Sequence, residues 1–216
     1  ASATSAWGLQ QALQATAPSA TGTAAVAWSS SSSSATTSTV YMAVQAGSSI
    51  YWTSSSNNGA SWNKWQLVAG ATPASQGQPS LAVVSGTLYL GFLDANNAIN
   101  ITSLSNPTTN NTWSSSTQVP NQTASSASLI SEKIGSAQQL AVYYVSNASA
   151  TQSQILKAYS TNPSASKPVW TTAIAIESSS GKTATPLEAS GAVSVSQISG
   201  QTYLAYQSSA GSEAIT

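Results

Sequence analysis

The sequence predicts an all-β protein: a β-propeller of four four-stranded antiparallel blades, its ring closed by the N-terminal strand. Three observations carry this expectation. A tryptophan followed six residues later by a large aliphatic residue recurs four times, and so does an aromatic-rich apolar run. Gly and Asn turn sequences separate the runs.

The tryptophan pairs are Trp7 with Leu13, Trp62 with Val68, Trp113 with Val119, and Trp170 with Ile176. Residues six apart in a strand share a face, so each pair reads as one strand with its inward positions filled. Successive tryptophans are 55, 51 and 57 residues apart, and Trp170 is 53 residues from Trp7 counted through the C-terminus. The period closes only if the termini meet. Only Leu9–Leu13 has a helical spacing, and there the tryptophan register favours a strand.

The remaining strands follow unit by unit. The apolar runs are Val40–Gln45, Leu88–Leu93, Leu140–Val145 and Thr202–Gln207, whose continuity suggests burial on both faces. A shorter apolar strand precedes each: Ala24–Trp28, Leu81–Val84, Leu129–Ile130 and Ala192–Val195. A third strand follows each: Ile50–Thr53, Ile99–Thr102, Leu156–Tyr159 and Glu213–Thr216. Turns are expected at Asn57-Asn58-Gly59, Ser85-Gly86, Asn96-Asn97 and Ser199-Gly200. The units are 14–68, 69–119, 120–176, and 177–216 together with 1–13 in a single domain. Ser5–Leu13 supplies the last blade's fourth strand, beside the strand that ends near Ile215. A β-sandwich of similar strand number is the alternative, but it needs no circular period.

Only 5% of residues are charged, and the net charge is zero. The chain has no Arg, and Lys64, Lys133, Lys157, Lys167 and Lys182 are scattered. No nucleic-acid partner is expected, because phosphate binding needs a basic face. The apolar runs are too short to insert into a membrane as helices. Without Cys there is neither a disulfide framework nor a thiolate metal site. Ala1 reads as the start of a mature chain. Asn100, Asn110, Asn121 and Asn147 each begin a glycosylation sequon. With the low charge, these suggest a secreted, extracellular glycoprotein.

Ser55-Ser56-Asn57-Asn58-Gly59-Ala60-Ser61-Trp62 resembles the Asp-box, with Asn in place of Asp. That motif is structural in sialidase-like propellers and in non-enzymatic ones. A sialidase holds its substrate's carboxylate with arginines, which this chain lacks. The first unit also resembles the blades of fungal fucose-specific lectins, through Ala24-Ala25-Val26-Ala27-Trp28, Tyr41–Gln45 and Trp62–Val68. The resemblance implies a carbohydrate-binding propeller. It departs where those lectins grip sugar with an Arg on the second strand and a Glu on the third. Here Tyr41 and Trp52 hold those places, so fucose specificity does not carry over.

Chemistry has few candidates. No His or Cys is present, and the acids are Asp94, Glu132, Glu177, Glu188 and Glu213. A glycosidase needs two facing carboxylates; Asp94, Glu132 and Glu213 are the candidates for a hydrolase or lyase. Surface or turn carboxylates explain the acids more simply, and Asp94-Ala95-Asn96-Asn97 reads as an ordinary turn. No catalytic residue, metal or cofactor is assigned.

Trp28, Trp52 and Trp65 have no Trp counterparts in the other units. They could form a platform for a sugar's apolar face, with Tyr41, Gln45 and Asn63 supplying hydrogen bonds. Otherwise they fill a bulkier core. Strand alternation puts Trp62 and Trp65 on opposite faces, with Trp65 outward. The sequence therefore reads as a secreted lectin-like propeller whose partners are glycans or glycoconjugates. A structural or adhesive surface protein is the alternative. A homo-oligomer, including an assembly in which chains share blades, is compatible with this reading.

Overall fold

Strands form where the apolar runs lie and stop at the expected turns. The computed structural model describes residues 18–30, 38–75, 77–147, 153–163, 168–178, 184–209 and 213–215. The first sheet, here labelled blade one after the sequence units, is antiparallel and orders β1 (Ala25–Ser30), β2 (Ser38–Ala46), β3 (Ser49–Ser55) and β4 (Gln66–Leu67). Blade two takes β5 (Ser80–Val84), β6 (Thr87–Leu93), β7 (Ala98–Ser105) and the start of β8 (Thr117–Ile134). β8 then runs on as the first strand of blade three, followed by β9 (Ala137–Ser146), β10 (Ile155–Ser160) and β11 (Ile174–Ala175). Its partner changes between Thr123, opposite Ala98, and Ala124, opposite Ser146, so the two blades are continuous in one seven-stranded sheet.

A short hairpin of β12 (Glu177–Ser178) and β13 (Thr185–Pro186) leads into blade four. That blade contains β14 (Ala189–Ile198), β15 (Gln201–Ser208) and β16 (Glu213–Ile215). The expected fourth strand, Ser5–Leu13, lies outside the described residues. Among the described residues no sheet closes on itself, and no helix is long and apolar enough to cross a membrane.

The turns obey backbone sterics. Ser85-Gly86 and Ser199-Gly200 both have positive φ at the two central residues, as a two-residue hairpin of this twist requires. Asn58 and Gly59 are also left-handed, in the turn between β3 and β4. There Asn57 Oδ1 accepts from the Ser61 N–H (2.9 Å) and the Ser55 hydroxyl (2.8 Å), while its Nδ2 donates to Ser61 Oγ (2.9 Å). Ser55 Oγ accepts from the Gly59 N–H (2.9 Å), so the two side chains together satisfy much of the turn.

Three apolar layers separate the blades. Ala25, Tyr41, Ala43 and Trp52 of blade one pack on Leu88, Leu90, Phe92 and Trp113 of blade two. Tyr89, Ile99 and Ile101 of blade two meet Leu129, Val142 and Tyr144 of blade three. Tyr143 and Val145 of blade three meet Val193 and Leu204 of blade four. A closed four-bladed ring needs a further layer between blades four and one, and the described residues do not form it.

Two expectations need correction. The tryptophans do not sit in paired fourth strands: β4 and β11 are two residues each, and Trp62, Trp65, Trp113 and Trp170 precede the paired residues. The outermost strand is an edge, so little pairing holds its start extended. Trp62 and Trp65 are both half-buried, so Trp65 is not fully outward. The second correction is that β15 is not buried on both faces. Leu204 is buried, but Tyr203, Ala205 and Gln207 are exposed, because no described blade covers their side.

Candidate functional site

The first strand of each blade is paired on one side only within its blade, β8 with β9 alone over Ala124–Ile134. β1, β5 and β14 pair on one side only, so some backbone donors need other partners. Serines of the preceding blade supply them. The Leu129 N–H donates to Ser80 Oγ (2.7 Å), the Val193 N–H to Ser126 Oγ (3.1 Å), and the Val195 N–H to Ser128 Oγ (3.3 Å). The serine-rich inner strands therefore stitch blade to blade. Ser126 is only 8% exposed, so Ser126→Ala should leave a buried N–H without a partner. The expected cost is about 1–3 kcal/mol by urea denaturation. Ser128→Ala, at a half-exposed position that water reaches, should cost less.

The same four first strands wall one cavity of about 700 Å³. Val26 and Trp28 of β1, Ser80 of β5, Ser128 and Ser131 of β8, and Ser194, Ser196 and Gln197 of β14 all line it. No lining residue is charged. Ser80 and Ser128 spend a lone pair on a neighbouring N–H, and a hydroxyl keeps one proton to donate. The wall thus offers hydroxyl donors with no counter-charge. Trp28, 67% exposed, adds a broad apolar ring. Strand alternation explains this: Ala25 and Ala27 point into the layer with blade two, while Val26 and Trp28 point out of it.

Of the six residues that the sequence nominates for binding, the structure leaves Trp28 open in this cavity. Tyr41 is buried in the first layer, where loss of hydration raises its pKa. Trp52 is buried with its ring edge-on to Trp113, 5.8 Å between centroids. Gln45 is buried too, its Nε2 donating to the Gly47 and Ala74 carbonyls (2.8 and 2.6 Å). Asn63 is exposed, but its Nδ2 donates to Ser54 Oγ (2.9 Å) and its carbonyl accepts from the Thr53 hydroxyl (2.8 Å). Trp65 is half-buried beside β4. The six do not share one surface. The serines of the inner strands were not singled out from the sequence, although the repeated Ser–aliphatic alternation in Ser126–Ser131 and Ser194–Ser196 was the available signal.

The sequons also differ. Asn110 is exposed, its Oδ1 accepting from the Thr112 N–H (3.0 Å), and Asn147 is exposed. Asn100 is half-buried, with its amide donating to Asp94 Oδ2 (2.9 Å). The Asn121 side chain lies outside the described residues.

Among the acids, Asp94 caps its own turn, accepting from the Asn96 and Ala98 N–H groups (2.9 and 3.0 Å). Glu132 is 1% exposed and forms an ion pair with Lys157 (2.7 Å). It also accepts from the Tyr143 hydroxyl (2.5 Å), Gln139 Nε2 (3.0 Å) and the Thr202 hydroxyl (3.3 Å). Lys157 in turn lies over the rings of Tyr143 and Tyr159, at 5.2 and 5.7 Å. Burial alone would raise the Glu132 pKa, but the hydrogen bonds from Lys157, Tyr143 and Gln139 outweigh it and hold the carboxyl below its ordinary value. Burial and the neighbouring carboxylate push the Tyr143 hydroxyl upward. Both Glu132 oxygens are engaged, Oε2 within blade three by Gln139 and Lys157, and Oε1 by Tyr143 and, across to blade four, by Thr202. The Glu213 side chain lies outside the described residues. Among the described residues, no three His, Cys, Asp or Glu side chains gather as a metal site would need.

No family model and no curated protein matches the chain. Solved structures do. The fucose-specific lectin of Aleuria aurantia, a six-bladed β-propeller, is 19% identical over 88% of this chain and 55% of its own, with a TM-score of 0.54. A complex of a variant of that lectin with Fucα1-6GlcNAc gives a TM-score of 0.57 over 88% of this chain and 56% of the lectin. A variant of the NanB sialidase of Streptococcus pneumoniae is 10% identical over 81% of this chain and 26% of its own, with a TM-score of 0.57. The chain thus spans about half the length of the lectin and a quarter of the sialidase. At these identities the likeness establishes the fold: an all-β chain of propeller blades.

Proposed function

We propose that the chain is a secreted, lectin-like propeller that binds a neutral carbohydrate in its axial cavity and performs no chemistry on it. The carrying observation is the cavity wall: hydroxyl and amide groups from four strands, one broad exposed indole, and no charge. A sugar needs hydrogen-bond partners for its hydroxyls and an apolar plate for its C–H face, and has no charge to neutralise. The kinship in fold with a fucose-specific lectin, and with a sialidase that acts on sugars, supports the same substrate class. Fucose itself is not assigned, because Tyr41 and Trp52 are buried.

In this reading the four units are four blades, and Ser5–Leu13 completes the last one beside β16. The Ser55–Trp62 turn acts as a structural Asp-box. Asn110 and Asn147, both exposed, are the sequons best placed for glycans on a secreted protein. Saturation of Glu132 and the turn-capping role of Asp94 support binding without catalysis. An array of neutral and acidic glycans tests the proposal. Binding to neutral saccharides, with one site per chain by calorimetry, is the expected result. A blank array on folded protein removes it.

A further inference from the structure

The axial cavity is long, and its walls differ in chemistry. It follows six consecutive residues in or leading into each of β1, β5 and β14: Thr23–Trp28, Gln78–Val83 and Ala192–Gln197. Along β14, where all six are strand, that is a length of about 17 Å. A single pyranose ring reaches only part of that length and fills only a fraction of about 700 Å³. β8 and β14 run in the same direction, since Ser126 and Ser128 meet Val193 and Val195 in order, so the wall continues from blade to blade. On the β1 side, Ala24, Val26 and Trp28 recur at every second position and are exposed. Met42 and Val40 stand opposite Val26 and Trp28 in the register of β2 and widen this apolar row. β14 presents Ser194 and Ser196 at the same spacing, both exposed. Their hydroxyls, like that of Ser131 on β8, have no hydrogen-bond partner among the described residues, so each can both donate and accept.

We propose that the cavity selects a short, straight run of neutral sugar rings, an equatorially linked chain of the cellulose type, over a single terminal ring. The inference rests on the reading of this cavity as a sugar site and adds the length and shape of its ligand. In such a chain the rings form one extended ribbon, with C–H groups on its flat faces and hydroxyls along its rims. The straight apolar row of Ala24, Val26 and Trp28 suits the flat face, and the hydroxyls of Ser131, Ser194 and Ser196 suit a rim. Trp28 ends the row, so its indole stacks on a terminal ring while the following rings lie along Val26 and Ala24. An axially linked chain, as in a malto-oligosaccharide, coils and does not keep its faces on one straight wall.

The test is calorimetry with cello-, manno- and N-acetylated chito-oligosaccharides, from the monosaccharide to the hexasaccharide. In the best of the three series, affinity is expected to rise by about tenfold or more between the monosaccharide and the tetrasaccharide, and no further at the hexasaccharide. Ala24→Leu fills the end of the row away from Trp28 and should remove most of that gain. Ala24 is exposed, and near-UV circular dichroism checks that the variant is folded. A monosaccharide that binds as tightly as its tetrasaccharide overturns the inference and leaves the cavity a sugar site. The same holds if a malto-oligosaccharide series gains as much with length, or if an array glycan binds while all three series fail. A gain that Ala24→Leu leaves intact puts the chain elsewhere and overturns it too. Folded protein that binds no saccharide in any series or on the array removes the underlying reading, and this inference with it.

Discussion

Removing either member of the Glu132–Lys157 pair should cost the fold about 3–5 kcal/mol, because it strands a charge in a site built to exclude water. Glu132 is 1% and Lys157 12% exposed, so neither regains much hydration when its partner goes. Lys157→Met leaves the carboxylate with only the neutral donors of Tyr143, Gln139 and Thr202. Glu132→Gln leaves the ammonium with the faces of Tyr143 and Tyr159. Urea denaturation of both variants reads the loss. The double variant Glu132→Leu/Lys157→Met should recover part of it, since an apolar pair carries no desolvation penalty, but not all, because Tyr143 and Gln139 lose their acceptor. A cost under about 1 kcal/mol for both single variants would place the pair with weak surface salt bridges.

The pH dependence follows from the sign of the shift. The folded carboxyl titrates below its ordinary value of 4.5, despite burial, because of the hydrogen bonds from Lys157, Tyr143 and Gln139. An unfolded chain then takes up the proton first on acidification. The stabilisation from Glu132 is complete above about the ordinary value and is lost as pH falls through the lower folded one. The stability gap between wild type and Glu132→Gln should therefore shrink as the solution is acidified below that range. A gap that stays constant would contradict the assignment.

The repeated strands and turns were legible because they follow from local physics. Apolar runs in Val40–Gln45 and Leu88–Leu93 became β2 and β6, and Ser85-Gly86 and Ser199-Gly200 became hairpin turns, where Gly takes the second left-handed position at no steric cost. The fate of each indole was not legible, since it depends on what stands opposite. Blade one faces blade two with Ala25, Ala27, Ala43 and Ala71, and that missing volume is filled by Trp52, Trp113 and Tyr41. Trp52 is thus a core residue by compensation, a relation that spans two blades. The partners of Glu132 come from β9, β10 and β15, and no sequence spacing announces such a cluster. Trp28 alone, among the six nominated residues, has both exposure and a place in a cavity.

Trp28→Ala should weaken neutral-glycan binding by about 2 kcal/mol, roughly thirtyfold in Kd, while leaving the fold in place. An indole 67% exposed contributes little packing, so its truncation should barely move the denaturation midpoint. Trp52→Ala should do the reverse, because that ring is buried against Trp113 and its loss opens a cavity. The contrast separates a binding ring from a packing ring within one blade. Trp28→Phe, which keeps an aromatic face of smaller area, should fall between wild type and Trp28→Ala. Because the cavity wall is uncharged, the affinity should change little with salt. Calorimetry on the best glycan from the array measures all of these. If Trp28→Ala binds as wild type while Ser196→Ala does not, the hydroxyl wall and not the indole holds the sugar. Unchanged binding in both variants would move the site off the axis, because Trp28 and Ser196 wall the cavity from blades one and four.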